Sequence, residues 1–173
     1  MKLSQGEYVA LEKIENVYSA CSLVQQIYIH GDSMQSYLLA IVVPDPVVLA
    51  KVVSEVWKKG VSGADSKTLD EAVKDERVVK AVLDMLTKDG VRYGLQGYVP
   101  LSLSEIRVIP SFFCRYEFAK RLHITNDLFS VENNCFTPTM KIRRKEVQKR
   151  YKAELDALYA LGEPTWSTNS AKL

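Results

Sequence analysis

The chain contains 173 residues, of which 47% are hydrophobic and 25% charged, so it can bury one ordinary core with room for an insertion or a tail. Its 23 lysines and arginines against 21 aspartates and glutamates leave a net charge of +2, which does not match the strongly basic composition of a dedicated nucleic-acid-binding protein. Any site for an anion must therefore be formed locally.

The cysteines and the apolar runs narrow the class of protein further. Cys21, Cys114 and Cys135 are widely spaced and lie in no CxxC or Cys/His pattern, so we expect reduced, intracellular and mostly buried thiols, with no metal site. The longest apolar stretches are too short to cross a bilayer, and the N-terminus lacks the apolar segment of a secretory signal. The sequence therefore predicts a soluble domain.

The first half of the chain alternates between helical and extended patterns. Residues 10–20 carry apolar side chains at helical spacing, which predicts a short amphipathic helix. The β-rich runs 23–30 and 36–44 flank the turn-forming segment "GDSMQ" and predict a β-hairpin, with the second strand more buried because its apolar residues are continuous. Helical spacing then recurs over residues 48–57 and 68–90, which predicts two further helices.

The next segments are interpreted from their turn and strand signals. Thr68 and Glu71 fit a capping box at the start of the second of these helices. The run "EIRVIP", residues 105–110, predicts a third strand that ends at its proline. Residues 111–128 mix aromatic and cationic side chains without a clean period, and we interpret them as a surface insertion.

The C-terminal part predicts a loop, one long helix and a tail. The loop covers residues 129–139, and the helix begins near Lys141 and ends at Gly162. The apolar side of this helix carries Val147, Tyr151, Leu155 and Leu158. Together these elements predict an α+β fold, with a small sheet of about three strands packed against several helices in a domain over 1–162, followed by a flexible tail over 163–173.

Two motifs at opposite ends of the chain resemble the C-terminal lid domain of long-chain fatty acyl-CoA synthetases, in the adenylate-forming superfamily. The first is "KLSQGEYVALEKIENVY", and the second is "FSVENNCFTPTMKIRRKEV". Between them, "IYIHGDSMQSYLLAIVVPD" is similar to the hairpin of that family. Leu11 stands where the family commonly has proline, and Asn134 stands where it frequently has glycine, an exchange that the left-handed conformation tolerates.

The resemblance implies a role for Lys141. The family first joins a fatty carboxylate to the α-phosphate of ATP and releases pyrophosphate, and the lysine of the second motif stabilises the charge that develops in this step. Its position near the start of a helix would add the positive end of the helix dipole. On the residues alone, Lys141 is interpreted as one more cation in a solvated run with Arg143, Arg144 and Lys145.

The resemblance implies a second site for coenzyme A, whose thiol attacks the acyl carbon and expels AMP. In the family the loop that corresponds to Gln5, Gly6 and Glu7 borders the channel for coenzyme A after the domain rotates, and a glycine lets a ligand approach the backbone closely. On the residues alone, Gly6 is as well explained by an ordinary turn before a helix.

The same resemblance implies the partners. The substrates are a fatty acid, ATP with Mg²⁺, and coenzyme A, held mainly by an N-terminal adenylation domain outside this chain, so we expect the fragment alone to be inactive. Residues Ala171, Lys172 and Leu173 resemble a peroxisomal import signal, which predicts an import receptor as partner and a peroxisome-type organelle as location.

Two other interpretations stay open at this point. The run "KIRRKEVQKRYK" would suit a small module that binds nucleic acid or an acidic membrane, although Glu146, Glu154 and Asp156 interrupt its charge. The chain would also suit an adenylate-forming ligase for another carboxylic acid, because the acid pocket lies elsewhere in the family. His30 and His123 have no neighbouring pattern of a catalytic triad, so we assign them no catalytic role.

Overall fold

The computed structural model describes residues 1–93 and 116–164. The predicted strand over 105–110, Cys114 and the terminal tripeptide 171–173 lie outside the described residues. The domain bounds predicted for the chain stay predictions.

The described part forms six helices and three strands, which confirms the predicted α+β class. The helices are α1 (Leu11–Tyr18), α2 (Pro46–Trp57), α3 (Ser66–Ala72), α4 (Glu76–Arg92), α5 (Arg144–Arg150) and α6 (Lys152–Ala160). The strands are β1 (Val24–His30), β2 (Leu38–Pro44) and β3 (Ala119–Ile124).

The three strands form one mixed sheet in the order β1-β2-β3. β1 and β2 are antiparallel, with Ile29 opposite Ala40, which confirms the predicted hairpin. β2 and β3 are parallel, with Ala40 opposite Leu122. The chain reaches β3 only after α2, α3 and α4, as a parallel connection requires.

The central strand β2 is buried along its whole length because both faces of the sheet are covered. Leu38, Ala40 and Val42 belong to the core formed with α1, α2, α3 and α4. Leu39, Ile41 and Val43 belong to a second core with α5 and α6. The continuous apolar run in the sequence therefore has a direct cause, and the prediction that this strand is the more buried one is confirmed.

The prediction of a surface insertion is wrong for Ala119–Ile124, which form β3 at one edge of the sheet. Ala119, Leu122 and Ile124 are buried in the first core. The strand was hidden because Lys120, Arg121 and His123 interrupt its apolar pattern, and an edge strand can keep such side chains partly in water.

Two predicted helices are each divided in the structure. The helix predicted over residues 68–90 is two helices, α3 and α4, because Asp75 accepts a hydrogen bond from the Arg77 amide and starts a new helix. The carboxylate of Asp65, not the predicted capping box, caps α3 by accepting from the Thr68 amide. The last predicted helix begins at Arg144 rather than at Lys141, and it is interrupted at Tyr151.

The described residues contain no helix long and apolar enough to cross a membrane. Cys21 and Cys135 are both free and buried. For these two thiols the prediction of burial is confirmed.

Candidate functional site

Lys141 lies in a short hairpin formed by residues 135–143, which we call the lysine hairpin. Its two arms meet at a bridge between Phe136 and Ile142, and the Arg143 amide donates to the Cys135 carbonyl at 2.8 Å. Cys135 is buried in the second core, so the base of the hairpin is attached to the body of the domain.

The tip of the lysine hairpin is a tight turn closed by Thr137. The Thr137 amide donates to the Lys141 carbonyl at 2.8 Å, and the Lys141 amide donates to Thr137 Oγ1 at 3.0 Å. Met140 has φ +60° and Asn134, below the hairpin, has φ +61°. Both lie in the left-handed region, so the tolerance predicted for asparagine at position 134 is confirmed.

The side chain of Lys141 is exposed, and within residues 1–93 and 116–164 its ammonium group makes no hydrogen bond or ion pair. The helix after it begins three residues later and has seven residues. Because a helix dipole acts mainly within the first turn, the predicted dipole effect on Lys141 does not follow from this geometry. The turn itself presents the ammonium group to the surroundings.

The loop over residues 4–7, which we call the first loop, lies beside the turn between β1 and β2. The Ser4 amide donates to the Gln35 carbonyl at 3.1 Å, and Gln5 Nε2 donates to the Ser36 carbonyl at 3.0 Å. Gly6 has φ +96°, and a Cβ atom added there would meet no atom of the described residues within 4 Å. The backbone conformation therefore favours glycine, and open space lies in front of it. Glu7 is exposed.

A group of polar contacts that the sequence interpretation missed joins the two motifs. Arg144 Nη2 donates to Glu15 Oε2 at 2.5 Å, and the guanidinium group lies 5.7 Å from the centre of the Tyr28 ring. The side chain of Arg144 is 31% exposed and that of Glu15 is 9% exposed. The interpretation of Arg144 as a solvated cation is therefore wrong.

A signal for this burial was present in the sequence. Glu15 lies four residues after Leu11 and one after Ile14, on the same helix face as Tyr18. A carboxylate on the apolar face of a helix requires a partner when it is buried. Burial raises the pKa of Glu15 by more than the Ile29 amide and the Arg144 guanidinium group lower it.

The two histidines lie against the α5–α6 side of the sheet. Tyr28 Oη lies 3.3 Å from His30 Nδ1, and His30 faces a cavity of about 160 Å³ that Asp156 and Tyr159 also line. The ring of His123 lies 5.9 Å from that of Tyr151. Burial lowers the pKa of both histidines, so each imidazole is mainly neutral at pH 7.

Comparison with known proteins finds similar sequences that align over nearly the whole chain. No family model matches. Over 160 residues the chain is 37% identical to human long-chain-fatty-acid–CoA ligase 6, an alignment that covers 92% of this chain and 19% of that protein. It is 32% identical to long chain acyl-CoA synthetase 2 of Arabidopsis thaliana, over 92% of this chain and 20% of that protein. The chain is homologous to one segment of the long-chain fatty acid–CoA ligases.

Solved structures place this segment within a larger fold. The A domain of carboxylic acid reductase from Segniliparus rugosus, in complex with AMP and a co-purified carboxylic acid, has a TM-score of 0.64 and 34% identity over 93% of this chain and 20% of that one. The α+β fold is similar to the C-terminal part of adenylate-forming enzyme domains. The chain spans about a fifth of the length of the ligases it matches.

The segment contains no metal-binding cluster in the part that the structure describes. No group of three or more His, Cys, Asp or Glu side chains there could hold a metal ion. Lys141 and the first loop thus remain the candidate functional groups of this segment.

Proposed function

We propose that the chain is the C-terminal domain of an ATP-dependent long-chain fatty acid–CoA ligase, and that Lys141 contacts the nucleotide phosphates during acyl-adenylate formation. The observation that carries this proposal is an exposed ammonium group, without a partner in the described residues, on a hairpin whose base is fixed to a buried core. The similarity to acyl-CoA ligases over 92% of the chain supports the same reaction.

The chemistry explains why a cation is needed there. A carboxylate oxygen of the fatty acid attacks the α-phosphorus of ATP, and the bond to the leaving pyrophosphate breaks. Negative charge develops on the phosphoryl oxygens and on the leaving pyrophosphate, and the anionic carboxylate must approach these oxygens against their charge. A fixed ammonium group beside these oxygens lowers the barrier, and the loss of one such contact typically costs about 10²- to 10³-fold in rate.

ATP, its Mg²⁺ and the fatty acid would be held mainly by an N-terminal adenylation domain outside this chain. The described residues offer an exposed lysine but no metal-binding cluster, which suits a domain that completes a site formed elsewhere. The segment alone would then be inactive because neither nucleotide nor acid has a complete site on it.

The first loop would act in the second half-reaction. There the coenzyme A thiol attacks the acyl carbon, the thioester bond forms, and AMP leaves with the electron pair of the broken bond. Gln5, Gly6 and Glu7 would border the path of coenzyme A. The support is the open space in front of Gly6 and the attachment of Gln5 to the turn at Ser36.

A second candidate keeps the adenylation chemistry and changes the acid. The observation that favours it is the 34% identity to the adenylation domain of a carboxylic acid reductase. Adenylation assays with acids of different length separate the two candidates.

A basic module that binds nucleic acid or an acidic membrane has less support in the geometry. The run over 141–152 does not form one cationic helix, because residues 141–143 belong to the lysine hairpin and Tyr151 separates α5 from α6. Arg144 is paired with Glu15, and Arg150 lies 3.4 Å from Asp127.

The test is Lys141→Ala in the intact ligase, with Lys145→Ala as the matched control because Lys145 is an exposed lysine of the same run. We expect Lys141→Ala to reduce acyl-adenylate formation by about 10²- to 10³-fold and to spare thioester formation from preformed acyl-adenylate. The control should leave both half-reactions unchanged. Equal losses in both half-reactions would contradict the proposal.

A further inference from the structure

The contact between Glu15 and Arg144 joins two segments that are far apart in the chain. Glu15 lies on α1, and Arg144 is the first residue of α5, 129 positions later. Each side chain makes a second bond to the same residue of β1. Glu15 Oε1 accepts from the Ile29 amide at 2.9 Å, and Arg144 Nη1 donates to the Ile29 carbonyl at 3.2 Å.

This arrangement closes the open edge of the sheet at one residue. Among the residues that the structure describes, β1 is an edge strand, so no described strand lies beside the backbone amides and carbonyls on its outer side. At Ile29 the carboxylate supplies the acceptor and the guanidinium group supplies the donor. The two side chains and the Ile29 peptide groups thus form a closed set of three hydrogen bonds, and the orientation of each charged group is fixed by two partners.

The fixed arginine lies at the end of the lysine hairpin. Arg144 follows directly after Arg143, whose amide bonds to the Cys135 carbonyl at 2.8 Å. The Arg143 side chain donates to Asn134 Oδ1 at 3.0 Å. From Arg144 back to Lys141 the chain is therefore held by backbone hydrogen bonds. No unattached residue separates the Glu15–Arg144 pair from Lys141.

We propose that Glu15 and Arg144 are positioning residues for Lys141, which hold the lysine hairpin at a fixed place relative to α1 and the sheet. This inference rests on the proposed function of Lys141. Cys135 anchors the first arm of the hairpin in the second core, whereas Arg144 anchors the second arm against β1. Ile142 of the second arm also packs against the second core, so loss of the Arg144 contact would loosen the hairpin rather than release it. A displacement of 1 Å at a catalytic group can cost about 100-fold in rate.

The substitution Glu15→Gln disturbs this arrangement with little change of volume. The amide oxygen can accept from either the Ile29 amide or Arg144, but the amide nitrogen then faces the other donor. The matched control is Asp127→Asn. Asp127 is an exposed carboxylate that pairs with Arg150, and Arg150 lies on α5, as Arg144 does. Thermal unfolding of each variant checks that the fold is retained.

The first experiment measures acyl-adenylate formation in the intact ligase for four proteins: the parent, Glu15→Gln, Lys141→Ala and the double variant. We expect Glu15→Gln to reduce the rate of adenylation by about 10- to 100-fold in the parent, and by less than about 2-fold when Lys141 is already absent. Thioester formation from preformed adenylate and the Asp127→Asn control should be unchanged.

Two results separate the failure of this inference from the failure of the proposed function. If Lys141→Ala impairs adenylation but Glu15→Gln costs the same factor with and without Lys141, the pair acts on the fold in general and the inference is overturned. If Lys141→Ala leaves adenylation intact, the proposed function is overturned.

The second experiment needs no activity. Hydrogen exchange of the 173-residue chain should become faster over residues 137–143 in Glu15→Gln, with α2 (Pro46–Trp57) unchanged as the internal reference. Arg144→Lys should give a smaller effect, because an ammonium group retains the charge but cannot bridge Glu15 and Ile29 with the planar geometry of a guanidinium group. Unchanged exchange over the hairpin in both variants would overturn the positional claim.

Discussion

The position of Ile41 in the sheet predicts that Ile41→Ala strongly lowers the free energy of unfolding. Ile41 is fully buried in the central strand, on the face that packs against α5 and α6. The substitution removes three carbon atoms, which costs about 2.4 kcal/mol in transfer free energy at roughly 0.8 kcal/mol per methylene. The cavity between two packed layers closes only in part, so we expect a total of about 3–4 kcal/mol.

Urea unfolding of the parent chain, Ile41→Val and Ile41→Ala measures this cost. Ile41→Val removes one carbon atom and should lower the free energy of unfolding by about 1 kcal/mol. Met34→Ala is the control, since Met34 is 81% exposed and should change stability by less than about 0.5 kcal/mol. A cost below about 1 kcal/mol for Ile41→Ala, at an unchanged urea dependence, would refute the assignment of this strand to the buried centre.

Two further predictions concern the first loop and the histidines. Gly6→Ala should destabilise the chain by about 1–2 kcal/mol in thermal unfolding, because φ is +96° at this position. Gly60→Ala is the control and should be neutral or stabilising in the same assay. Equal effects of the two substitutions would contradict the assigned backbone conformation of Gly6. Burial lowers the pKa of His30 and His123 in the folded state, so their contribution to stability is present above the unfolded pKa of about 6.5 and is lost as pH falls below it. His30→Gln should therefore reduce the loss of stability between pH 7 and pH 5, and an unchanged or steeper loss would be inconsistent with a buried neutral imidazole.

The elements that arise from local pattern were predictable from the sequence. α1, α2 and the hairpin of β1 and β2 each carry a complete periodic signal with a turn or proline at the end. The breaks at Asp75 and Tyr151 were not visible as periodicity, because apolar residues continue at helical spacing on both sides. Asp75 is a helix cap only because its carboxylate accepts from the Arg77 amide.

β3 could not be predicted from the local sequence pattern because the contacts that define it are non-local. Ala119–Ile124 pair in parallel with β2 across more than 70 residues, and the polar side chains of an edge strand remove the alternation that marks a strand. The same limit applies to the site. The motif around Lys141 was evident by resemblance, whereas the pairing of Glu15 with Arg144 requires the packing of α1 and α5 on one strand edge.

The proposed function requires the Lys141 ammonium group to approach nucleotide phosphate in the assembled ligase. An ATP analogue with a pyridoxal group on its terminal phosphate tests it directly, since the aldehyde condenses with a nearby lysine amine and borohydride reduces the imine to a stable secondary amine. Peptide mapping should find the label on Lys141, with ATP suppressing it. Labelling of Lys145 and Lys149 without labelling of Lys141, or labelling that ATP does not suppress, would contradict the account.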